Sequence, residues 1–159
     1  MPGPRDLEIS SDGLLFVSCN ASGVVARVPW RNLVKALEEV KPGTKYAERS
    51  VHVKARDLGA EITYVGIGAR SLRLSADEKT VFVTVNQSSE LVGIDAKAMQ
   101  IEARISVDSY PVGLELSPDG ESVWVTSQGR SAKGGNSVGI FQARYKTQEI
   151  VPSKHVLKR

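Results

Sequence analysis

The fourteen residues Leu116 to Gly129, LSPDGESVWVTSQG, restrict the fold more than any other part of the chain, because they are repeated. LSADEKTVFVTVNQ stands at Leu74 to Gln87, and ISSDGLLFVSCN at Ile9 to Asn20. Repetition has to be settled before single elements are assigned, since a missed repeat misassigns the whole fold. Aligning the hydroxyl residues Ser18, Thr84 and Thr126 sets Asn20 opposite Asn86 and Gln128, and Val28 opposite Ile94. The first unit needs a one-residue deletion in its turn. The third reaches its counterpart, Ile140, after four extra residues in the loop RSAKGGN.

Each unit reads as four short strands. The second runs SLRLS (71–75), TVFVTVN (80–86), LVGID (91–95) and IEARISV (101–107), with the period-two alternation of a sheet whose faces differ in burial. Pro118, Asp119 and Gly120 supply the turn between the first two strands: proline fixes φ, aspartate bonds back to the backbone and glycine permits φ > 0. Asp12 and Gly13 do the same in the first unit. Asp77, Glu78 and Lys79 lack the glycine, which predicts a turn of another type. In the third unit, 112–117, 122–128 and 136–142 are followed by QEIVPSKHVL (148–157) as the candidate fourth strand, and Pro152 confines such a strand to a sheet edge.

The first unit runs DLEIS, LLFVSCN and GVVARV before an insertion at 29–60, which explains why Ser18 and Thr84 are 66 residues apart and Thr84 and Thr126 only 42. WRNLVKALEEV places Leu33, Val34, Leu37 and Val40 on one helical face and KPG ends it, which predicts a short amphipathic helix on the blade edge. SVHVKA (50–55) is expected to form an extra hairpin with ITYVGI (62–67). Four-stranded antiparallel sheets at a spacing of ~40 to 50 residues indicate an all-β chain of β-propeller blades. About three blades are expected: 4–67 with the insertion, 69–107, and 111–157, in one partial propeller domain. An antiparallel sandwich is the alternative, but it has no need of repeated turns and strand ends.

These units resemble the YVTN β-propeller repeat proteins, with the pattern P-x-x-L-x-L-SPDG-x-x-x-[YFW]-V-T-[NS] followed by V-x-[VI]-[ID] and V-x-x-x-P. The matches are PVGLELSPDGESVWVTSQ, ARSLRLSADEKTVFVTVN and PRDLEISSDGLLFVSCN, with VGID and VDSYP after the second. The resemblance covers most of the chain outside 29–60. It implies a ring of usually seven blades, often periplasmic, secreted or on the cell surface. It also implies kinship with lactone hydrolases similar to six-phosphogluconolactonase and with propellers that carry electron-transfer cofactors or copper. Rings have ~4 to 8 blades, so three cannot close. Either the chain is part of a longer propeller, the expected case, or two copies form a homodimer of six blades.

Charge and composition narrow the function. Lys and Arg number 21 against 18 Asp and Glu, a net +3, and no basic stripe is interleaved with aromatics, so nucleic acid is not an expected partner. No apolar run reaches the ~18 residues of a membrane span, and MPGPRDLE is no signal peptide. Cys19 is the only cysteine and sits in an apolar strand pattern, as a small buried residue would. His52 and His155 are the only histidines, far apart and without a carboxylate pair at ligand spacing, so no metal or other cofactor is expected. GIGAR (66–70) and GRSAKGG (129–135) lack the strand, loop and helix context of phosphate loops and read as connections.

Candidate site residues are therefore positional. Asn20, Asn86 and Gln128 end the second strands, Arg5, Arg70 and Tyr110 lie just before the first, and Arg130 follows in the third unit's loop. Convergent amides and guanidinium groups there suit a polar or anionic small ligand, or a protein docking on the loops. The competing reading is that the amides bond the following turns. Trp124 is expected to pack between blades and Trp30 to belong to the insertion. A non-catalytic binding scaffold is the reading these residues favour, with a lactonase-like hydrolase as the alternative.

Overall fold

The repeated turn shows how each sheet starts. The computed structural model describes residues 2–38, 54–131 and 133–143, together with the backbone of the strand at 151–158. Ser10, Ser75 and Ser117 each accept, on the backbone carbonyl, the N–H of Gly13, Glu78 and Gly120, at 3.0, 2.8 and 2.8 Å. Their hydroxyls donate to the carboxylates of Asp12, Asp77 (2.7 Å) and Asp119 (2.5 Å). The third turn residue is left-handed in all three, with φ of 84° at Gly13, 56° at Glu78 and 73° at Gly120. The second turn is thus not of another type: Glu78 adopts the conformation glycine takes in the others.

Among the described residues, twelve strands follow from these turns and the alternation between them. β1 (Pro4–Ile9), β2 (Leu14–Cys19), β3 (Val24–Pro29) and β4 (Glu61–Tyr64) form the first sheet. β5 (Ala69–Leu74), β6 (Thr80–Val85), β7 (Glu90–Asp95) and β8 (Gln100–Ser106) form the second, and β9 (Pro111–Leu116), β10 (Ser122–Ser127), β11 (Ser137–Gln142) and β12 (Val151–Lys158) the third. Neighbours are antiparallel and in sequence order throughout. β12 is the outer edge of its sheet, so Pro152, opposite Phe141 at a register shift, lies where a missing N–H is tolerated.

The insertion contains α1 (Trp30–Glu38), which has no buried residue and leaves Leu37 exposed. It is tied down by Asn32, whose Nδ2 donates to the Leu58 carbonyl at 2.8 Å. Val40 and residues 50–53 of the expected hairpin lie outside the described residues. Residues 55–58 form a 3-10 turn, and β4 pairs with β3 as the outermost strand of the first sheet.

The sheets stack in series. Phe16 and Val25 of the first enter one core with Leu72, Leu74, Val81, Val83, Val92 and Ile94 of the second. Phe82 and Leu91, on the second sheet's other face, enter a separate core with Leu114, Val123, Val125 and Phe141 of the third. A sandwich would close with one shared core; here the middle sheet is covered on both faces, as a propeller blade is. Apolar burial at about 25 cal/mol per Å² makes these two layers the main source of stability.

Candidate ligand-binding face

A β-bulge opens each first strand. The register slips between Pro4 and Asp6, between Ala69 and Leu72, and opposite Thr126 and Ser127. A bulge frees a backbone N–H from the ladder, and the aligned hydroxyls satisfy it: Asp6 N–H donates to Ser18 Oγ at 3.2 Å and Ser71 N–H to Thr84 Oγ1 at 3.1 Å. The Ser18 hydroxyl also donates to the Arg70 carbonyl in the next sheet.

At the same end, the N–H groups of Asn20, Asn86 and Gln128 donate to the carbonyls of Gly3, Gly68 and Tyr110, at 2.7, 3.0 and 3.2 Å. Gly3, Gly68 and Tyr110 all have positive φ, of 72°, 95° and 57°. Tyr110 therefore takes the place of the two glycines, and Val112, not Tyr110, stands where Arg5 and Arg70 stand in the other bulges.

The seven candidate residues separate into three groups. Arg5 is exposed and Arg70 half-buried, and neither guanidinium makes a hydrogen bond or ion pair with a described residue. The side chains of Asn20 and Gln128 are likewise unpaired among the described residues, so they do not bond the following turns. Tyr110 and Arg130 are brought together: the guanidinium carbon lies 5.9 Å from the Tyr110 ring centroid, and Nη1 donates to Gln87 Oε1 at 2.6 Å. Gln87 was not foreseen. Asn86 belongs to the interior, with Oδ1 buried and without a hydrogen-bond partner among the described residues. Its Oδ1 lies against Gly68, where an added Cβ would come within 2.0 Å.

The first strands also carry a charged row that the candidate list omitted. Asp6 Oδ2 accepts the Leu72 N–H at 3.1 Å and Glu8 Oε2 the Leu74 N–H at 2.7 Å, so β1 carboxylates hold β5 backbone. Arg73 lies between Asp6 (3.2 Å) and both oxygens of Glu115 (3.2 Å each), linking all three sheets. Burial pushes the Glu8 carboxyl above its ordinary value, and the Leu74 N–H and the Arg73 charge only partly oppose it. At Asp119, the Ser117 hydroxyl and Glu121 N–H hold the carboxylate below the usual range. Burial also raises Cys19, a buried thiol rather than a reactive one.

Among the described residues, no group of three His, Cys, Asp or Glu side chains could hold a metal ion, and no helix is long and apolar enough to cross a membrane. His52 and His155 are outside the residues whose side chains are described.

Comparison with known proteins gives fold and no more. No family model and no curated protein matches the sequence. Among solved structures, a putative 6-phosphogluconolactonase from Bacteroides fragilis is similar with a TM-score of 0.69 at 14% identity, over 100% of this chain and 42% of that one. The periplasmic gluconolactonase of Pseudomonas aeruginosa gives 0.69 at 19% identity, over 98% and 40%. The WD40 repeats of RRP9 give 0.65 at 13% identity, over 100% and 39%. The chain thus spans about two-fifths of the length of these three structures. Stacked four-stranded sheets, repeated bulges and turns, and these likenesses agree: the chain is three blades of a β-propeller.

Proposed function

We propose that the chain is a non-catalytic propeller module of the YVTN-repeat kind that binds a polar, anionic small ligand on the face carrying Arg5, Asn20, Arg70 and Gln128. One observation carries this reading: the guanidinium groups of Arg5 and Arg70 are unpaired among the described residues, whereas Asp6, Glu8 and Glu115 are engaged between sheets. Free donors without a free carboxylate beside them suit an anion, and they provide no general acid or base for turnover. A periplasmic location accords with the name of the Pseudomonas relative.

A second reading, a lactone hydrolase, is favoured by the names of two of the similar structures. Calorimetric titration of the chain with 6-phosphogluconate, beside an assay of 6-phosphogluconolactone hydrolysis, separates the two. Saturable binding weakened at least tenfold by Arg5→Ala and by Arg70→Ala, without turnover, is the expected result. Absence of binding removes the first reading. Turnover that disappears with either variant replaces it with the second.

A further inference from the structure

The two sheet interfaces share the same apolar parts, and each outer sheet carries one half of a third. At the middle of each second strand an aromatic side chain points at the following sheet. Register makes Phe16 (opposite Glu8), Phe82 (opposite Arg73) and Trp124 (opposite Glu115) equivalent. Phe16 is 1% exposed and Phe82 2%, each seated in the next sheet's core; Trp124 is 44% exposed. The receiving side shows the converse. Leu72 and Leu114 receive Phe16 and Phe82 and are 0% and 6% exposed, whereas Leu7, their counterpart on β1, is 60% exposed.

The polar part recurs with a different donor: across the second interface Ser71, not Thr84 in the place of Ser18, donates its hydroxyl to the Val112 carbonyl at 2.8 Å. Ser18 donates to the carbonyl of Arg70 across the first interface. Thr126, in the place of Ser18, is exposed on the third sheet, and the carbonyl matching that of Arg70 belongs to Arg5 on the first. The chain thus presents a donor face with Trp124 and Thr126 and an acceptor face with Leu7, Ile9 and the Arg5 carbonyl.

We propose that two copies of this chain close a single six-bladed ring, the third sheet of each docking on the first sheet of the other. The interfaces already formed within the chain show what covers such faces: another blade with the same residues, and a second copy supplies both halves in the right order. Head-to-tail contacts either close or propagate; twofold closure satisfies all four open faces, and six blades fall within the ~4 to 8 that rings adopt. The large apolar side chains left exposed at both ends are the kind that mark an interface. This inference does not depend on the ligand reading.

Sedimentation velocity and light scattering of the full chain over a concentration series test it. The expected mass is twice the 17.2 kDa of one chain, with no further growth at high concentration. Trp124→Arg and Leu7→Glu, both at exposed positions, are expected to give single-chain mass with an unchanged far-ultraviolet spectrum. In a Trp30→Phe background, Trp124 emission is expected to shift to the red as dilution halves the mass. Wild-type protein that is monomeric at every concentration, or whose mass climbs without limit, overturns the proposal. So does a dimer that survives either substitution.

Discussion

Glu78 reaches across the first sheet interface to Ser11: its carboxylate accepts the Ser11 N–H at 2.9 and 3.1 Å and the Ser11 hydroxyl at 2.6 Å. It does so from a left-handed backbone, φ 56°, at the position where the other turns have glycine. An L-residue there costs roughly 1–2 kcal/mol, and an exposed charge-assisted contact returns a similar amount. Glu78→Ala keeps the backbone cost and loses the carboxylate, whereas Glu78→Gly loses both. Urea denaturation is therefore expected to rank wild type and Glu78→Gly within about 1 kcal/mol of each other, with Glu78→Ala the least stable by about 1–2 kcal/mol.

Two glycines of equal handedness are expected to respond differently to alanine. Gly13 has φ 84° and nothing within 4 Å of an added Cβ, so Gly13→Ala carries the backbone cost alone, about 1–2 kcal/mol. Gly68 has φ 95°, and its Cβ would meet Asn86 Oδ1 at 2.0 Å and the Gln87 N at 2.9 Å. Asn86 is buried and its N–H is already bonded to the Gly68 carbonyl, so neither partner can withdraw. Gly68→Ala is expected to lose more than about 3 kcal/mol, read from denaturation midpoints on the same day and buffer.

The blades were legible because their signals are local: a serine, an aspartate two residues later, a left-handed third position, and alternation on either side. The helix in the insertion was legible for the same reason. Contacts between sheets were harder to read, because they depend on residues ~40 to 70 positions apart. Glu8, Arg73 and Glu115 could have been found, since Arg73 and Glu115 both stand eleven residues before the aligned threonines Thr84 and Thr126. Tyr110 misled because a tyrosine in a glycine's conformation gives no compositional sign, and it stands two residues before Val112, the counterpart of Arg5 and Arg70. Asn86 looked like Asn20 in sequence; only the crossing of Gly68 beside it makes it interior.

Glu8 gives a pH dependence of known sign. Burial raises its carboxyl above the unfolded value of about 4.3, so its contribution to stability is full below that pH and is lost as pH rises through the raised value. Asp119 has the opposite sign: lowered, it stabilises above about 3.9 and loses this as pH falls. Glu8→Gln retains an oxygen to accept the Leu74 N–H but no longer ionises. Relative to wild type, its stability is expected to improve between pH 4 and pH 7.5, with the acid-side loss unchanged. Equal slopes for the two proteins across that window would refute the assignment.

Arg73 is the cation that serves three sheets. Its guanidinium meets Asp6 on one side and Glu115 on the other, with Glu8 close enough to act through its charge. Arg73→Met leaves these carboxylates facing one another with no cation between them. Arg73→Lys restores a charge but not the fork that engages two carboxylates at once. Because the groups are partly exposed, the expected loss for methionine is about 1–3 kcal/mol, with lysine recovering about half. Raising salt from 0.1 to 1 M, which shortens the screening length from about 10 to 3 Å, is expected to narrow the methionine deficit by relieving the repulsion. A deficit that salt leaves unchanged would instead assign Arg73 a packing role, its stem covering the apolar strand beneath.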